Sequence, residues 1–256
     1  MRFIISAGTD VGNVKTTNQD SVSIQLLEQG GRQLVFAVLC DGMGGLQKGE
    51  LASASVIYAF RGWCQRQLPV LLESGLQDGD IRREWTGVIT GCNERIKAYG
   101  VKNGVRLGTT ATVLLLTEDR YYVANVGDSR AYELQIRMRQ ITRDQTVVAR
   151  EVEQGLLTPE QAERDPRRSV LLQCIGASRE VYADFFYGTP LPDAVYLLCS
   201  DGFRHKITSG EMLTYLSPCR MDSPESMAQN QQALIQLIKE RNERDNITVA
   251  TIRTYV

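Results

Sequence analysis

Histidine is nearly absent from this sequence: 256 residues contain one, His205. The six cysteines, at 40, 64, 92, 174, 199 and 219, form no Cys-x-x-Cys pair and have no close histidine. Zinc sites and disulfide frameworks need tighter, paired spacing, so neither fits and buried, reduced thiols are expected. An excess of one charge is missing too. The 29 basic side chains nearly balance the 30 acidic ones, for a net charge of -1. Little electrostatic drive remains toward nucleic acid or an anionic membrane, and neither partner is expected. The only apolar stretch near the start, Phe3 to Ile5, is too short for a signal-peptide core or a membrane span. A cytoplasmic protein is expected. There is no internal repeat, low-complexity tract or Pro/Gly/Ser-rich linker, so residues 1–256 read as a single domain. No glycine-rich phosphate loop follows the first strand, which disfavours P-loop and dinucleotide-binding folds.

What is present is an ordinary globular composition, 43% hydrophobic and 23% charged. Residues 21–27 and 33–40 read as strands joined through Gly30-Gly31, a hairpin signal. The second is apolar throughout from Leu34 to Cys40, so it should be buried on both faces. A helix is predicted over 48–67, with Ala52, Val56, Ala59, Phe60 and Trp63 on one face. A second is predicted over 81–100, with Trp85, Ile89, Cys92 and Ile96 spaced for burial. Strands follow at 109–117, 120–126 and 129–136, with turns at Glu118-Asp119 and Gly127-Asp128. The polar stretch 144–170 holds a helix-like segment, Gln145–Gln154, and an N-cap Thr158 before Pro159. A strand pair at 182–187 and 194–200, helices at 208–216 and 223–242 and a last strand at 246–254 complete the chain. Strands outnumber helices and most connections are short, which points to antiparallel sheets covered by helices.

Four aspartates share a context. Asp41 and Asp201 each end an apolar strand and precede a glycine. Asp128 lies between two strands in Gly127-Asp128-Ser129, and Asp245 stands just ahead of the final strand. A carboxylate at the end of a buried strand is held rigidly, and the following glycine is expected to let the backbone turn sharply. Its carbonyl then becomes available as an oxygen ligand. Oxygen donors without histidine or cysteine suit Mg²⁺ or Mn²⁺, and two such ions can drive displacement at phosphorus. Each aspartate alone reads as a turn residue, because Asp-Gly is a common turn dipeptide. The four together point to a metal-dependent hydrolase, and the residues alone go no further.

At these residues the sequence resembles the protein phosphatase 2C family, the metal-dependent serine/threonine phosphatases, and its compact bacterial members in particular. Seven segments match in family order. They are Gly12-x-x-Lys15-x-x-Asn18-Gln19-Asp20, Asp41-Gly42-Met43-Gly44-Gly45 and Gly108-Thr109-Thr110, then Val126-Gly127-Asp128-Ser129-Arg130 and Ile141-Thr142-Arg143-Asp144, then Ser200-Asp201-Gly202-Phe203 and Asp245-Asn246-Ile247-Thr248. The resemblance implies an α+β fold: two antiparallel β-sheets packed as a central sandwich, flanked by helices on both outer faces. It implies that Asp41 bridges two Mg²⁺ or Mn²⁺ ions, that the Gly42 carbonyl binds one, and that Asp201 and Asp245 complete the other site. Asp20 would hold a metal-bound water, and Asp128 with Asp201 would match a third, weaker metal position. A water or hydroxide bridging the ions would attack, with no covalent phospho-enzyme. Segment 143–170 would be the flap beside the active site. Its mixed-charge surface reads equally as a solvated face or as a device for choosing substrates.

Three departures stand out. Lys15 occupies the place of a phosphate-gripping arginine and offers a point charge instead of a bidentate fork. Met43 replaces the histidine that eukaryotic members carry, as it does in bacterial relatives. Gln145 stands where the family often has histidine, and His205 reads as a packed or surface residue. The expected activity is hydrolysis of phosphoserine or phosphothreonine on proteins by a monomeric enzyme opposing a serine/threonine kinase. The alternatives are a catalytically weak regulatory binding module of the same fold and a two-metal hydrolase of small phosphoesters.

Overall fold

The computed structural model describes residues 1–43 and 48–255. In chain order its strands are β1 (Arg2–Asp10), β2 (Ser21–Gln29), β3 (Arg32–Cys40), β4 (Ala111–Leu116), β5 (Tyr121–Val126), β6 (Arg130–Leu134), β7 (Met138–Gln140), β8 (Asp184–Gly188), β9 (Val195–Cys199) and β10 (Ile247–Tyr255). The helices are α1 (Gly49–Arg66), α2 (Leu68–Ser74), α3 (Asp78–Asn103), α4 (Val147–Glu153), α5 (Pro159–Arg164), α6 (Asp201–Arg204), α7 (Ser209–Leu216) and α8 (Pro224–Glu240). One antiparallel sheet runs β1-β10-β9-β6-β7 and the other β2-β3-β4-β5-β8. The β2–β3 turn is Gly30-Gly31, at φ 60 and 75. Two successive left-handed residues match the twist of the flanking strands, and glycine adopts that conformation without steric cost.

The apolar run of β3 is buried from Leu34 to Cys40, and its alternation assigns each face. Phe36, Val38 and Cys40 pack outward against Val56, Phe60 and Trp63 of α1 and Trp85 and Ile89 of α3. Val35, Ala37 and Leu39 point inward and meet Tyr196 and Leu198 of β9 and Ala250 and Ile252 of β10. On the far side, Val195, Leu197 and Cys199 pack against Met212 of α7 and Leu234, Ile235 and Ile238 of α8. These four layers are the expected α+β sandwich. Full burial of each such side chain contributes roughly 1.5–3 kcal/mol. Among the described residues no helix is long and apolar enough to cross a membrane.

Several expectations change. The start of the chain forms the nine-residue strand β1, paired along its length with β10 from Arg2↔Tyr255 to Asp10↔Ile247. Its polar alternation, Ser6, Gly8 and Asp10 among apolar residues, hides an edge strand that gets its stability from its neighbour. The segments expected as a strand pair near 182–187 and 194–200 do not pair with each other. β8 lies on β5, and β9 lies between β10 and β6 in the opposite sheet. Strand pattern marks both as strands, β8 half-buried and β9 fully buried, but does not say which strand lies alongside. Five cysteines are buried and free as expected, but Cys219 is exposed, on a short 3-10 turn at Pro218–Arg220.

The outer core centres on Phe36, whose ring lies 5.5 Å from Trp63 and 6.1 Å from Trp85. Phe36→Ala leaves an aromatic-sized void and is expected to destabilise the fold by about 3–5 kcal/mol in urea unfolding. A loss under about 1 kcal/mol would show that this cluster does not carry the packing.

Candidate active site

Antiparallel pairing makes alternate strands start and finish at the same end of the sandwich. At one such end β3 and β9 finish, β10 begins, and the chain crosses between sheets twice, from β1 to β2 and from β5 to β6. Asp41, Asp201, Asp245, Asp20 and Asp128 occupy these five places in turn. The sequence motifs far apart along the chain therefore meet. Asp41, half-buried, has its carboxyl pushed well above the ordinary aspartate range by burial, and then by the negative charges of Asp20, Asp201, Asp128 and Asp245. Burial raises Asp20 to about 7, with Asp201 and Asp245 adding to the rise and the Thr248 and Ser200 hydroxyls offsetting part of it. Burial raises Asp128 to about 7 as well, with Asp201 adding and Arg204 opposing.

The loops are held by polar contacts to the backbone. The Asp41 amide donates to Thr110 Oγ1 at 2.9 Å, and the Asp41 carbonyl accepts from the Thr109 hydroxyl and the Thr110 amide. Asn246 stitches the β1–β2 crossing to β10: its Oδ1 accepts from the Gln19 amide at 2.9 Å, and its Nδ2 donates to the Val11 and Thr17 carbonyls. Ser53 of α1 donates to the Gln19 carbonyl at 2.6 Å. Arg130 makes a bidentate pair with Asp144, both contacts at 2.7 Å, and Arg204 reaches the Asp128 carbonyl at 3.2 Å.

Gly42 and Gly202 have a different reason from the one expected. Neither has positive φ. A Cβ on Gly42 would collide with the Gln19 carbonyl and the backbone of Gly49, and one on Gly202 would collide with the Asn246 carbonyl. Their service is close backbone approach: each lets one aspartate loop lie directly on another. Gly44 and Gly45 of the same motif lie outside the described residues.

The donor set fits a hard divalent cation. It is oxygen-rich, and Asp20 Oδ2 is buried with no hydrogen-bond partner. An unpaired buried carboxylate oxygen is costly unless a proton or a cation meets it. Among the described residues no three Asp, Glu, His or Cys side chains are drawn tightly enough to hold an ion by themselves. An ion here would take the rest of its shell from water and backbone carbonyls, as Mg²⁺ commonly does. Two of the aspartates, Asp201 and Asp245, line a cleft of about 1150 Å³ whose walls come from α4–α5 and α6–α7.

The family model for protein phosphatase 2C matches residues 7–233. The chain belongs to the protein phosphatase 2C family. It is 31% identical to protein phosphatase PhpP of Streptococcus pneumoniae (strain D39), over 97% of this chain and 96% of that one. It is 32% identical to the serine/threonine protein phosphatase PstP of Mycobacterium tuberculosis, over 95% of this chain and 43% of PstP. Among solved structures, Stp1 of Staphylococcus aureus superposes with a TM-score of 0.84 at 28% identity, covering 100% of this chain and 96% of that one. The PstP catalytic domain in complex with two manganese ions superposes with a TM-score of 0.77 at 28% identity, covering 99% of each chain.

The departures from the protein phosphatase 2C pattern have visible settings. Lys15 lies on the β1–β2 crossing with its Nζ 3.1 Å from Asp245 Oδ1. Gln145 is a buried fastener: its Oε1 accepts from the Gly127 amide at 2.9 Å and its Nε2 donates to Asp184 at 2.9 Å. It thereby fixes the turn that carries Asp128. His205 is packed, as expected, with Nε2 3.5 Å from Asp201 Oδ2 and Nδ1 3.8 Å from Glu243 Oε2. Burial is the leading influence on its imidazole and lowers the pKa. Arg204 and Glu243 were not anticipated. Arg204 sits one helical turn after Asp201, a spacing that offered a clue. Glu243 had none: its Oε1 accepts from the Arg244 and Asp245 amides, a local turn contact without a motif.

The carboxyl shifts fix a sign for pH. Without metal, folded Asp20 and Asp128 keep protons up to about pH 7, whereas the ordinary aspartate value is 3.8. The folded chain binds more protons than the unfolded one across this interval, so its stability falls as pH rises through it. A bound cation removes the penalty. The melting-temperature gap between Mn²⁺-loaded and EDTA-treated protein is expected to widen from about pH 5 to about pH 8. A constant gap would mean that these carboxylates do not meet the ion.

Proposed function

We propose that this chain, a phosphatase of the protein phosphatase 2C family, hydrolyses phosphoserine and phosphothreonine on proteins and opposes a serine/threonine kinase. The observation that carries the reading is the meeting of five aspartates from five separate loops at one end of the sandwich, with a buried, unpartnered oxygen among them. Two Mg²⁺ or Mn²⁺ ions, when bound, supply an activated water and offset charge on the phosphoryl oxygens. In this proposal Asp41 and the Gly42 carbonyl would hold one ion, and Asp41, Asp201 and Asp245 would hold the other. Asp20 orients water at the pair, and Asp128 with Asp201 offers a third, weaker position.

The remaining residues bind and orient. Lys15, beside Asp245, presents its ammonium toward an incoming phosphate as a point charge without the directional fork of an arginine. Arg130 and Arg204 pair with Asp144 and Asp128 and brace those carboxylates. The retention of every one of these aspartates favours an enzyme over a regulatory module, which has no need for buried mutual repulsion.

Mn²⁺-dependent turnover of p-nitrophenyl phosphate, abolished by EDTA and lowered at least about 100-fold by Asp201→Asn, is the expected result. Turnover that survives EDTA, or none with any divalent ion on this substrate and on a phosphothreonine peptide, would sink the proposal. Lys15→Ala is expected to raise KM by about tenfold with kcat little changed, while Lys15→Arg restores or tightens binding. Equal effects of the two substitutions would remove Lys15 from phosphate recognition.

A further inference from the structure

The cleft beside the aspartates is much larger than a phosphorylated hydroxymethyl group, at about 1150 Å³. Asp201 and Asp245 line it, and so does an apolar wall: Val148 and Val152 of α4 and Ala162 of α5 on one side, Ile207 and Met212 on the other. Val152 and Ala162 are only half-buried, although α5 has no buried residue and could have been polar throughout. Val148, Ile207 and Met212 form its buried floor, while Val152 and Ala162 stay partly wet until something apolar covers them.

The wall is built, not loose. Thr146 caps α4 by accepting from the Ala149 amide, and Thr158 and Gln161 form a capping box on α5. Arg167 pairs with both Glu151 and Asp165 at 2.8 Å, tying the end of the segment back to α4. Backbone bonds from Val147 to Val170 and from Leu172 to Gln145 close its base. A surface held this firmly can present a shaped pocket at low entropic cost. Arg168, Lys206 and Arg244 also line the cleft and form no ion pair among the described residues. They offset the carboxylates of Glu163, Asp201, Glu243 and Asp245 in the same lining.

We infer that this wall is a subsite for an aliphatic side chain close in sequence to the phosphorylated residue, so that the chain prefers phosphopeptides flanked by leucine, isoleucine, valine or methionine. The inference rests on the phosphatase reading above and names its substrate class. Continuity of one cleft from Asp201 and Asp245 to Val152 and Met212 is what commits the occupant to the substrate itself. A small phosphoester would fill the carboxylate end and leave the wall uncovered.

The test uses the full chain with Mn²⁺. Phosphothreonine peptides carrying leucine, one position at a time, at the three residues on either side are compared with the all-glycine parent by kcat/KM. Leucine at one or more positions is expected to raise kcat/KM by about tenfold or more, the scale of a few buried methylenes. Val152→Asp should bring the leucine-to-glycine ratio close to one, and Val152→Ala should reduce it part-way; the melting temperature of each variant checks the fold. Equal rates on leucine and glycine peptides, or a ratio unmoved by both variants, overturn the subsite. Turnover of p-nitrophenyl phosphate separates the two levels of failure. If it persists without any side-chain preference, only the subsite falls. If it is absent, the phosphatase reading falls and the subsite with it.

Discussion

Carboxylates that crowd one end of a sandwich repel each other, and the rest of the fold has to hold them there. Asp41 sits against the negative charge of four other aspartates, and burial strengthens every one of those interactions. Nothing local could keep such a cluster together. The work falls to two sheets with interleaved aliphatic faces and two outer layers of helix, which fix the strand ends from which the aspartates emerge. Among the described residues, the cations that pair with these five aspartates are Lys15, on Asp245, and Arg204, on Asp128. The centre of the cluster remains uncompensated, which is the condition under which a doubly charged ion binds most favourably.

Backbone proximity does as much as side-chain chemistry. Asn246 joins the β1–β2 crossing to β10 with three hydrogen bonds, and Gly42 and Gly202 leave no side chain between neighbouring loops. These contacts put donors from opposite sheets within reach of one another. They also explain why the glycines follow the aspartates directly: the loop that delivers the carboxylate is the loop that must lie flat on its neighbour.

Much of this was legible in the residues. The Leu34–Cys40 run announced a strand covered on both sides, and Gly30-Gly31 announced its hairpin, because burial and turn geometry leave local marks. The aspartates were legible as strand-end residues, and the family resemblance ordered them. Sheet membership was not legible. β8 and β9 both read as strands and lie in different sheets, because pairing is decided by contacts fifty or more residues away. β1 escaped notice because its stability comes from β10. The glycines were identified correctly as necessary, but the reason read from the dipeptide, a sharp turn, was the wrong one; collision with a distant carbonyl has no local signature. Gln145, an apparent departure from the family, proved to be an internal fastener for the Asp128 turn.

The segment carrying α4 and α5 joins the sandwich at a narrow base, through Val147 to Val170 and Leu172 to Gln145, while its interior contacts are mostly its own. Such an attachment leaves room for two evolutionary tempos. Residues beyond the base are free to drift, lengthen or be exchanged without disturbing the strand ends, whereas the carboxylate loops interlock too closely for any one to change alone. A lineage built on this plan can acquire new clients by rewriting about two dozen positions while its chemistry stays fixed.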